Sequence, residues 1–196
     1  YSADLIHRRA LEWLDAQRPD QPFLGIFTYT LPHAELAQPD DSILQRYKQR
    51  FPTGERTYAA SEGPRHHPTT CGHAEFAGMI SRLDAQVGEI MDKLEEKGLA
   101  ENTVLIFTSD NGPHEEGGAD PNFFNRDGLL RGIKRSTYEG GIRIPFIVRW
   151  PAKVKAGTVS NHQLACYDLM PTFCDIAGID RYAERYRSRS LPTDYF

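Results

Sequence analysis

The sequence is poor in cysteine and has no long hydrophobic run, and these two absences exclude several classes of protein. Its 196 residues include three cysteines, an odd number without Cys-x-x-Cys spacing, so neither a disulfide framework nor a zinc ribbon is predicted. No apolar stretch approaches the roughly 18 residues that a membrane-spanning helix needs, and we predict no transmembrane segment. The formal net charge is −4 and no segment is dominated by basic residues, so nucleic acid is not an expected partner.

Several familiar catalytic and nucleotide-binding motifs are also absent. The sequence contains no Gly-x-Ser-x-Gly nucleophile elbow. It contains neither a Gly-x-x-x-x-Gly-Lys phosphate loop nor a Gly-x-Gly-x-x-Gly fingerprint. The sequence therefore does not contain the complete motif set of a common hydrolase.

The overall composition is that of an ordinary globular protein, with 39% hydrophobic and 26% charged residues. Apolar runs at 22–30, 102–110 and 142–150 predict strands, and the near-continuous apolar character of the first predicts burial on both faces. Helical spacing predicts helices over about 2–17, 42–50, 76–94 and 167–177. This alternation predicts an α/β protein with a mostly parallel central sheet flanked by helices.

The segment "IFTSDNGPH" places polar side chains directly after a predicted strand. Asp110 and Asn111 follow the apolar run, and Gly112 and Pro113 turn the chain. Carboxylate and amide oxygens are ligands of Ca²⁺ and Mg²⁺, although two ligands are too few for a complete site. The alternative is an Asx turn that only redirects the backbone, which is the commoner role of such residues.

Lys134 and His33 are two further candidates. Lys134 lies in "IKRSTYEGG", where a lysine in a Gly-rich loop beside a strand is placed to contact an anion. His33 follows the first predicted strand, in "LPHAEL". Each also fits the commoner role of a solvated surface side chain. Because ligands gather beyond the carboxyl ends of parallel strands, we expect His33 to lie near Asp110 and Asn111.

A third cluster has suitable residue types but unsuitable spacing. The segment "HHPTTCGH" contains potential zinc ligands, but their spacing matches no common zinc module and they fall in an irregular, polar region over 51–72. These residues are His66, His67, Cys71 and His73. We interpret Asp40 and Asp41 as the cap of the following helix rather than as a metal pair.

Four segments occur in an order that is typical of a known family. They are "PFLGIFTYTLPHAEL", "MISRLDAQVGEIMDKLEEKGLAENTVLIFTSDNGPHEEGGADPNFF", "LRGIKRSTYEGGIRIPFIVRWPAKVKAGT" and "DLMPTFCDIAG". Together they resemble the type I, formylglycine-dependent sulfatases of the arylsulfatase type, in the alkaline-phosphatase-like superfamily. The resemblance implies a sulfuric ester hydrolase acting on an aryl or carbohydrate sulfate. It also implies that residues 1–180 are the C-terminal portion of an incomplete catalytic domain, with 181–196 beginning a following segment.

The resemblance implies a role for each candidate side chain. Asp110 and Asn111 match the second half of the family's calcium site. Lys134 matches the lysine that contacts the sulfate oxygens and neutralises their charge. His33 matches the histidine that contacts the sulfate ester and helps to protonate the leaving oxygen. The calcium ion of the family acts as a Lewis acid and orients the sulfate.

The sequence departs from the family in what it does not contain. The formylglycine of the family is made from Cys or Ser in a Cys/Ser-x-Pro-Ser/Ala-Arg motif, and neither this motif nor the preceding Asp-Asp metal pair is present. We therefore expect a missing N-terminal part of the same domain and no activity of this chain alone. The alternatives are a phosphodiesterase or phosphonate monoester hydrolase of the same superfamily, or a non-catalytic sulfatase-like binding protein. By analogy with the family, the location is periplasmic or extracellular, or lysosomal in a eukaryote.

Overall fold

A computed structural model describes residues 1–54, 56–59, 66–124 and 130–179 of the chain. Its helices and strands in chain order are α1 (Ser2–Asp15), α2 (Ser42–Arg50), α3 (Gly72–Glu96), β1 (Leu105–Thr108), α4 (Glu139–Ile142), β2 (Phe146–Arg149) and α5 (Leu169–Ile176). The chain divides into two compact units, Tyr1–Ala156 and a second that begins at Gly157. Across the described ranges, no helix has both the length and the apolar character needed to cross a bilayer.

Helix α3 is the centre of the first unit, as its regular apolar spacing predicts. The buried side chains of its stripe contribute to both large apolar clusters of the unit; they are Phe76, Met79, Leu83, Ile90 and Leu94. The helix ends where predicted, because Gly98 adopts a φ of 65° that favours glycine. Ile80 belongs to the same apolar spacing but is 43% exposed.

Helix α2 confirms the predicted cap. The Asp41 side chain accepts hydrogen bonds from the backbone N–H groups of Ile43 (3.0 Å) and Leu44 (3.3 Å). The same carboxylate pairs with Arg82, a nearly buried residue of α3, which also contacts Asp4 of α1 at 3.3 Å. One arginine of α3 therefore ties α1 and the start of α2 to the central helix.

Helix α1 buries only part of the apolar face that its sequence predicts. Its buried residues are Ala3, His7, Ala10 and Leu14. Leu5, by contrast, is 49% exposed, and Tyr1 rather than Ser2 precedes the first helical residue. His7 is held on the packed side of α1 by hydrogen bonds to Tyr29 (2.8 Å) and to Glu89 of α3 (3.1 Å).

The prediction of a strand buried on both faces over 22–30 is wrong. The segment forms no ladder within the described residues, and its side chains alternate between packing and exposure. Phe23 and Phe27 each lie edge-on to Trp13 at 5.7 Å between ring centroids, whereas Ile26 on the opposite face is 75% exposed. Strand patterning alone does not identify a pairing partner, and this segment has none among the residues that the structure describes.

Strands β1 and β2 form the one ladder that is described, and they pair antiparallel. Leu105 is opposite Arg149, and Thr108 is opposite Phe146. Both strands lie within predicted ranges, but the sequence predicted mostly parallel pairing. Parallel neighbours need a crossover connection, usually a helix. The described parts of 109–145 hold only one short 3₁₀ turn and the four-residue α4, so the chain returns beside β1 in the opposite direction.

The described part of the second unit covers residues 157–179. A 3₁₀ turn, Cys166–Asp168, leads into α5, and Gly178 follows the helix with a φ of 66°, as predicted. Cys174 is buried. The predicted boundary at 180/181 lies outside the described residues and stays a prediction.

Candidate functional site

The polar pair at the end of β1 does not form an Asx turn. Such a turn at Asp110 needs the N–H of Gly112, but that group donates to the carbonyl of Gly141 at 2.9 Å. The corresponding turn at Asn111 needs an N–H at Pro113, which proline lacks. The turn interpretation therefore has no hydrogen bond to support it.

The side-chain oxygen atoms of this pair are possible metal ligands. Asp110 is exposed, and no hydrogen bond or ion pair to its carboxylate occurs among the described residues. The side-chain nitrogen of Asn111 donates to the Gly112 carbonyl at 2.9 Å, which leaves its oxygen as the ligating atom. These two hard oxygens fit a calcium ion but supply only part of its usual six to eight ligands. In the described parts of the chain, no group of three or more His, Cys, Asp or Glu side chains is placed to hold a metal.

Backbone hydrogen bonds join the loop after β1 to the loop that carries Lys134. The Lys134 N–H donates to the Pro113 carbonyl at 2.8 Å, beside the bond between Gly112 and Gly141. The approach is close, because a Cβ on Gly112 would lie 1.9 Å from the carbonyl oxygen of Gly140. We call this pair of bonded loops the glycine clamp. It sets the position of Lys134 through the main chain.

Lys134 and His33 meet in space. The Lys134 Nζ atom lies 2.8 Å from His33 Nε2 and 3.0 Å from a carboxylate oxygen of Glu116. The Lys134 side chain is 18% exposed, and the His33 side chain is 50% exposed. The other carboxylate oxygen of Glu116 accepts from Arg135. No hydrogen bond or ion pair in the described residues joins Asp110 or Asn111 directly to this cluster, so their connection to it runs through the glycine clamp.

The hydrogen bonds of His33 assign its tautomer. A carbonyl only accepts, so Nδ1–H of His33 donates to the Ala34 carbonyl. Nε2 is then the acceptor of the bond from the Lys134 ammonium. The imidazole therefore presents the lone pair of Nε2 to the lysine.

Sequence reasoning missed two residues of this cluster, His114 and Glu116. The His114 ring is buried and stacks on His33, with 5.4 Å between ring centroids. The hydrogen bond with Lys134, and then that with Arg135, holds the pKa of the Glu116 carboxyl at about 2, well below its ordinary value. The signal that was available is the charge pattern: adjacent cations at 134–135 and an acidic residue in the same "DNGPHEEGG" loop as the metal candidates.

The potential zinc ligands do not assemble into a site. His73 stacks on Phe123 at 3.6 Å, and Cys71 is buried in an apolar cluster with Leu44. Asp40 is likewise occupied elsewhere, since its carboxylate accepts from Lys48 at 2.9 Å. Packing and surface pairing account for these side chains.

Comparison with known proteins identifies sulfatases as relatives. The N-acetylgalactosamine-6-O-sulfatase of Bacteroides thetaiotaomicron is 42% identical over 128 residues, which cover 58% of this chain and 24% of that protein. Human arylsulfatase A is 40% identical over 112 residues, covering 55% of this chain and 20% of that protein. The chain thus spans about a quarter or less of the length of these relatives.

The fold agrees with this relationship. The crystal structure of Ps i-CgsB matches with a TM-score of 0.70 and 28% identity over 91% of this chain and 34% of that chain. The solved structures that resemble this chain are sulfatases of the alkaline-phosphatase-like α/β class, which confirms the predicted fold class. The sulfatase family model matches residues 1–179. The chain belongs to the sulfatase family.

Proposed function

We propose that this chain carries part of the active site of a sulfuric ester hydrolase that acts on an aryl or carbohydrate sulfate. The observation that carries the proposal is the 2.8 Å contact between Lys134 Nζ and His33 Nε2 in a member of the sulfatase family. The name of the Bacteroides relative, an N-acetylgalactosamine-6-O-sulfatase, supports a carbohydrate sulfate. By analogy with the family, we propose a periplasmic or extracellular location, or a lysosomal one in a eukaryote.

Lys134 and His33 divide the work at the sulfate ester. The Lys134 ammonium donates a hydrogen bond to a sulfate oxygen and stabilises the charge that develops on the transferred group. His33 donates its Nδ1 proton to the Ala34 carbonyl, so a second proton, taken up at Nε2, is the one passed to the leaving oxygen, and the ring returns to its neutral form. The glycine clamp holds the backbone of Lys134 in place through main-chain hydrogen bonds.

Asp110 and Asn111 would hold a calcium ion through one carboxylate and one amide oxygen, with the remaining ligands contributed from outside the described residues. When bound, calcium supplies Lewis acidity and orients the sulfate group. Formylglycine, expected elsewhere in the full-length protein, would supply the nucleophile. The exposed position of Asp110 at the end of β1 keeps its carboxylate accessible to such an ion.

The test is hydrolysis of nitrophenyl sulfate by the full-length protein. Lys134→Ala is expected to lower kcat/KM by about 100-fold or more. The matched control is Lys153→Ala, since Lys153 is exposed and lies outside the cluster, and it should have no effect. Equal activity of the two variants would contradict the proposal. Faster turnover of a phosphate diester than of the sulfate would favour the phosphodiesterase alternative. The 196-residue chain alone is expected to hydrolyse neither ester.

A further inference from the structure

The hydrogen-bond capacity of Lys134 is almost fully used within the protein. An ammonium group has three hydrogens to donate. One is directed at Glu116 Oε2 (3.0 Å) and one at His33 Nε2 (2.8 Å), so a single hydrogen remains for a ligand. Because two of the three directions are occupied by fixed partners, the third direction is fixed as well.

Glu116 is itself held at both ends. Its backbone N–H donates to His114 Nδ1 at 3.2 Å, and His114 Nε2 donates to the Pro32 carbonyl at 3.1 Å. At the other end of the residue, its carboxylate accepts from both Lys134 and Arg135, and the side chain is only 14% exposed. The carboxylate is therefore part of a rigid frame and not a mobile surface group.

The same frame supports His33. The His114 ring that anchors the Glu116 backbone stacks on the His33 ring, with an angle of 23° between the ring planes. The Glu116 Oε2 atom lies 3.5 Å from His33 Nε2. Glu116 thus contacts both Lys134 and His33, the two side chains that the proposed function assigns to the sulfate ester.

The charges of the cluster leave room for one anionic group. Lys134 and Arg135 each contribute one positive charge, and Glu116 contributes one negative charge, with His33 in the neutral tautomer that its hydrogen bonds assign. Replacing the carboxylate by an amide would increase the positive charge and would exchange a charge-assisted hydrogen bond from Lys134 for a weaker one to a neutral oxygen, which holds the ammonium less firmly. Anion binding and correct orientation of the lysine would then change in opposite directions.

We propose that Glu116 is a positioning residue that acts through Lys134, directing the one remaining ammonium hydrogen at the sulfate group. This inference rests on the proposed function. It goes beyond it by assigning to a carboxylate, a group that repels sulfate, a role in the placement of the cation that binds sulfate.

The experiment measures kcat for nitrophenyl sulfate and the inhibition constant of inorganic sulfate in the full-length protein. Glu116→Gln keeps the size of the side chain and removes the charge. We expect kcat to fall about tenfold, because the neutral amide oxygen holds the lysine less firmly than the carboxylate does. We expect sulfate to bind about threefold more tightly, because one repelling charge is gone. The matched control is Glu115→Gln, whose exposed neighbouring carboxylate should affect neither quantity.

Two further variants separate positioning from a general loss of structure. Glu116→Asp keeps the charge but withdraws the carboxylate by one methylene, so kcat should fall while sulfate inhibition is unchanged. In a Lys134→Ala background, Glu116→Gln should change kcat less than about twofold, since the residue through which it acts is absent. The melting temperature of each variant is recorded. If Glu116→Gln does not fold, Glu116→Asp replaces it, and a wild-type kcat in Glu116→Asp would then overturn the inference.

Wild-type kcat in Glu116→Gln would overturn the inference. A full tenfold loss in the Lys134→Ala background would overturn it as well, because Glu116 would then act independently of the lysine. If Lys134→Ala itself keeps wild-type activity, the proposed function fails and this inference fails with it. If Lys134→Ala abolishes activity while Glu116→Gln matches Glu115→Gln, only the positioning role of Glu116 is wrong.

Discussion

Replacing Gly112 by alanine tests whether the glycine clamp positions the candidate site. The added Cβ would lie 1.9 Å from the Gly140 carbonyl oxygen and 2.9 Å from the Gly140 carbonyl carbon. Both are backbone atoms, so no flexible side chain can move aside. Gly88, on α3, is the matched control, since a Cβ there would meet nothing within 4 Å.

The expected loss of stability follows from what must move. Forcing an extra methyl group into a packed region costs about 1–3 kcal/mol. Separating the loops also weakens the hydrogen bonds from Gly112 to Gly141 and from Lys134 to Pro113, each of which contributes about 1 kcal/mol. We therefore expect Gly112→Ala to lower the free energy of unfolding by about 3 kcal/mol or more. Gly88→Ala should raise it by up to about 1 kcal/mol, because alanine is the better helix former.

Urea unfolding of the full-length protein measures both changes, and nitrophenyl sulfate hydrolysis reports on the site. Gly112→Ala should lose activity as well as stability, since the N–H of Lys134 is bonded within the same clamp. A loss of less than about 1 kcal/mol would mean that the loops separate at little cost, and the reasoning would be refuted. Normal activity in a strongly destabilised variant would show that the clamp does not position Lys134.

Two other predictions concern carboxylates that have paired partners. Asp41→Ala removes the α2 cap and one partner of Arg82, so thermal melting should show that the free energy of unfolding falls by about 1–2 kcal/mol. Asp40→Ala removes only an exposed ion pair with Lys48 and should leave the melting temperature nearly unchanged. Since the pKa of Glu116 is lowered from 4.5 to about 2, its ion pairs should stabilise the fold fully above pH 4.5 and be lost as the pH falls through about 2. Urea unfolding should therefore show wild type more stable than Glu116→Gln near neutral pH, with the difference vanishing at the acid end; a difference that persists there would contradict the assignment.

Elements whose signals are local were predictable from the sequence. Helix α3 follows from apolar residues at helical spacing and a terminating Gly98, and α2 follows from its Asp41 cap, because each signal acts within a turn or two of the backbone. Strand β1 follows from a compact apolar run. The segment over 22–30 carries an equally good strand pattern, yet no strand forms there in the described residues. Pairing depends on a neighbour, which local patterning does not contain.

The sequence by itself determined which chemical groups are available: the motifs of a sulfatase, with His33, Lys134, Asp110 and Asn111 as candidates. Only the tertiary structure decided how these groups meet. His33 and Lys134 are 101 positions apart, and their contact depends on the glycine clamp, on His114 behind the His33 ring and on Glu116 beside the ammonium. A carboxylate that repels sulfate does not stand out as part of a sulfate site in a list of residues. The role proposed for it rests on the two contacts that Glu116 and His33 make with Lys134. Such contacts between distant residues are set by packing and not by local sequence.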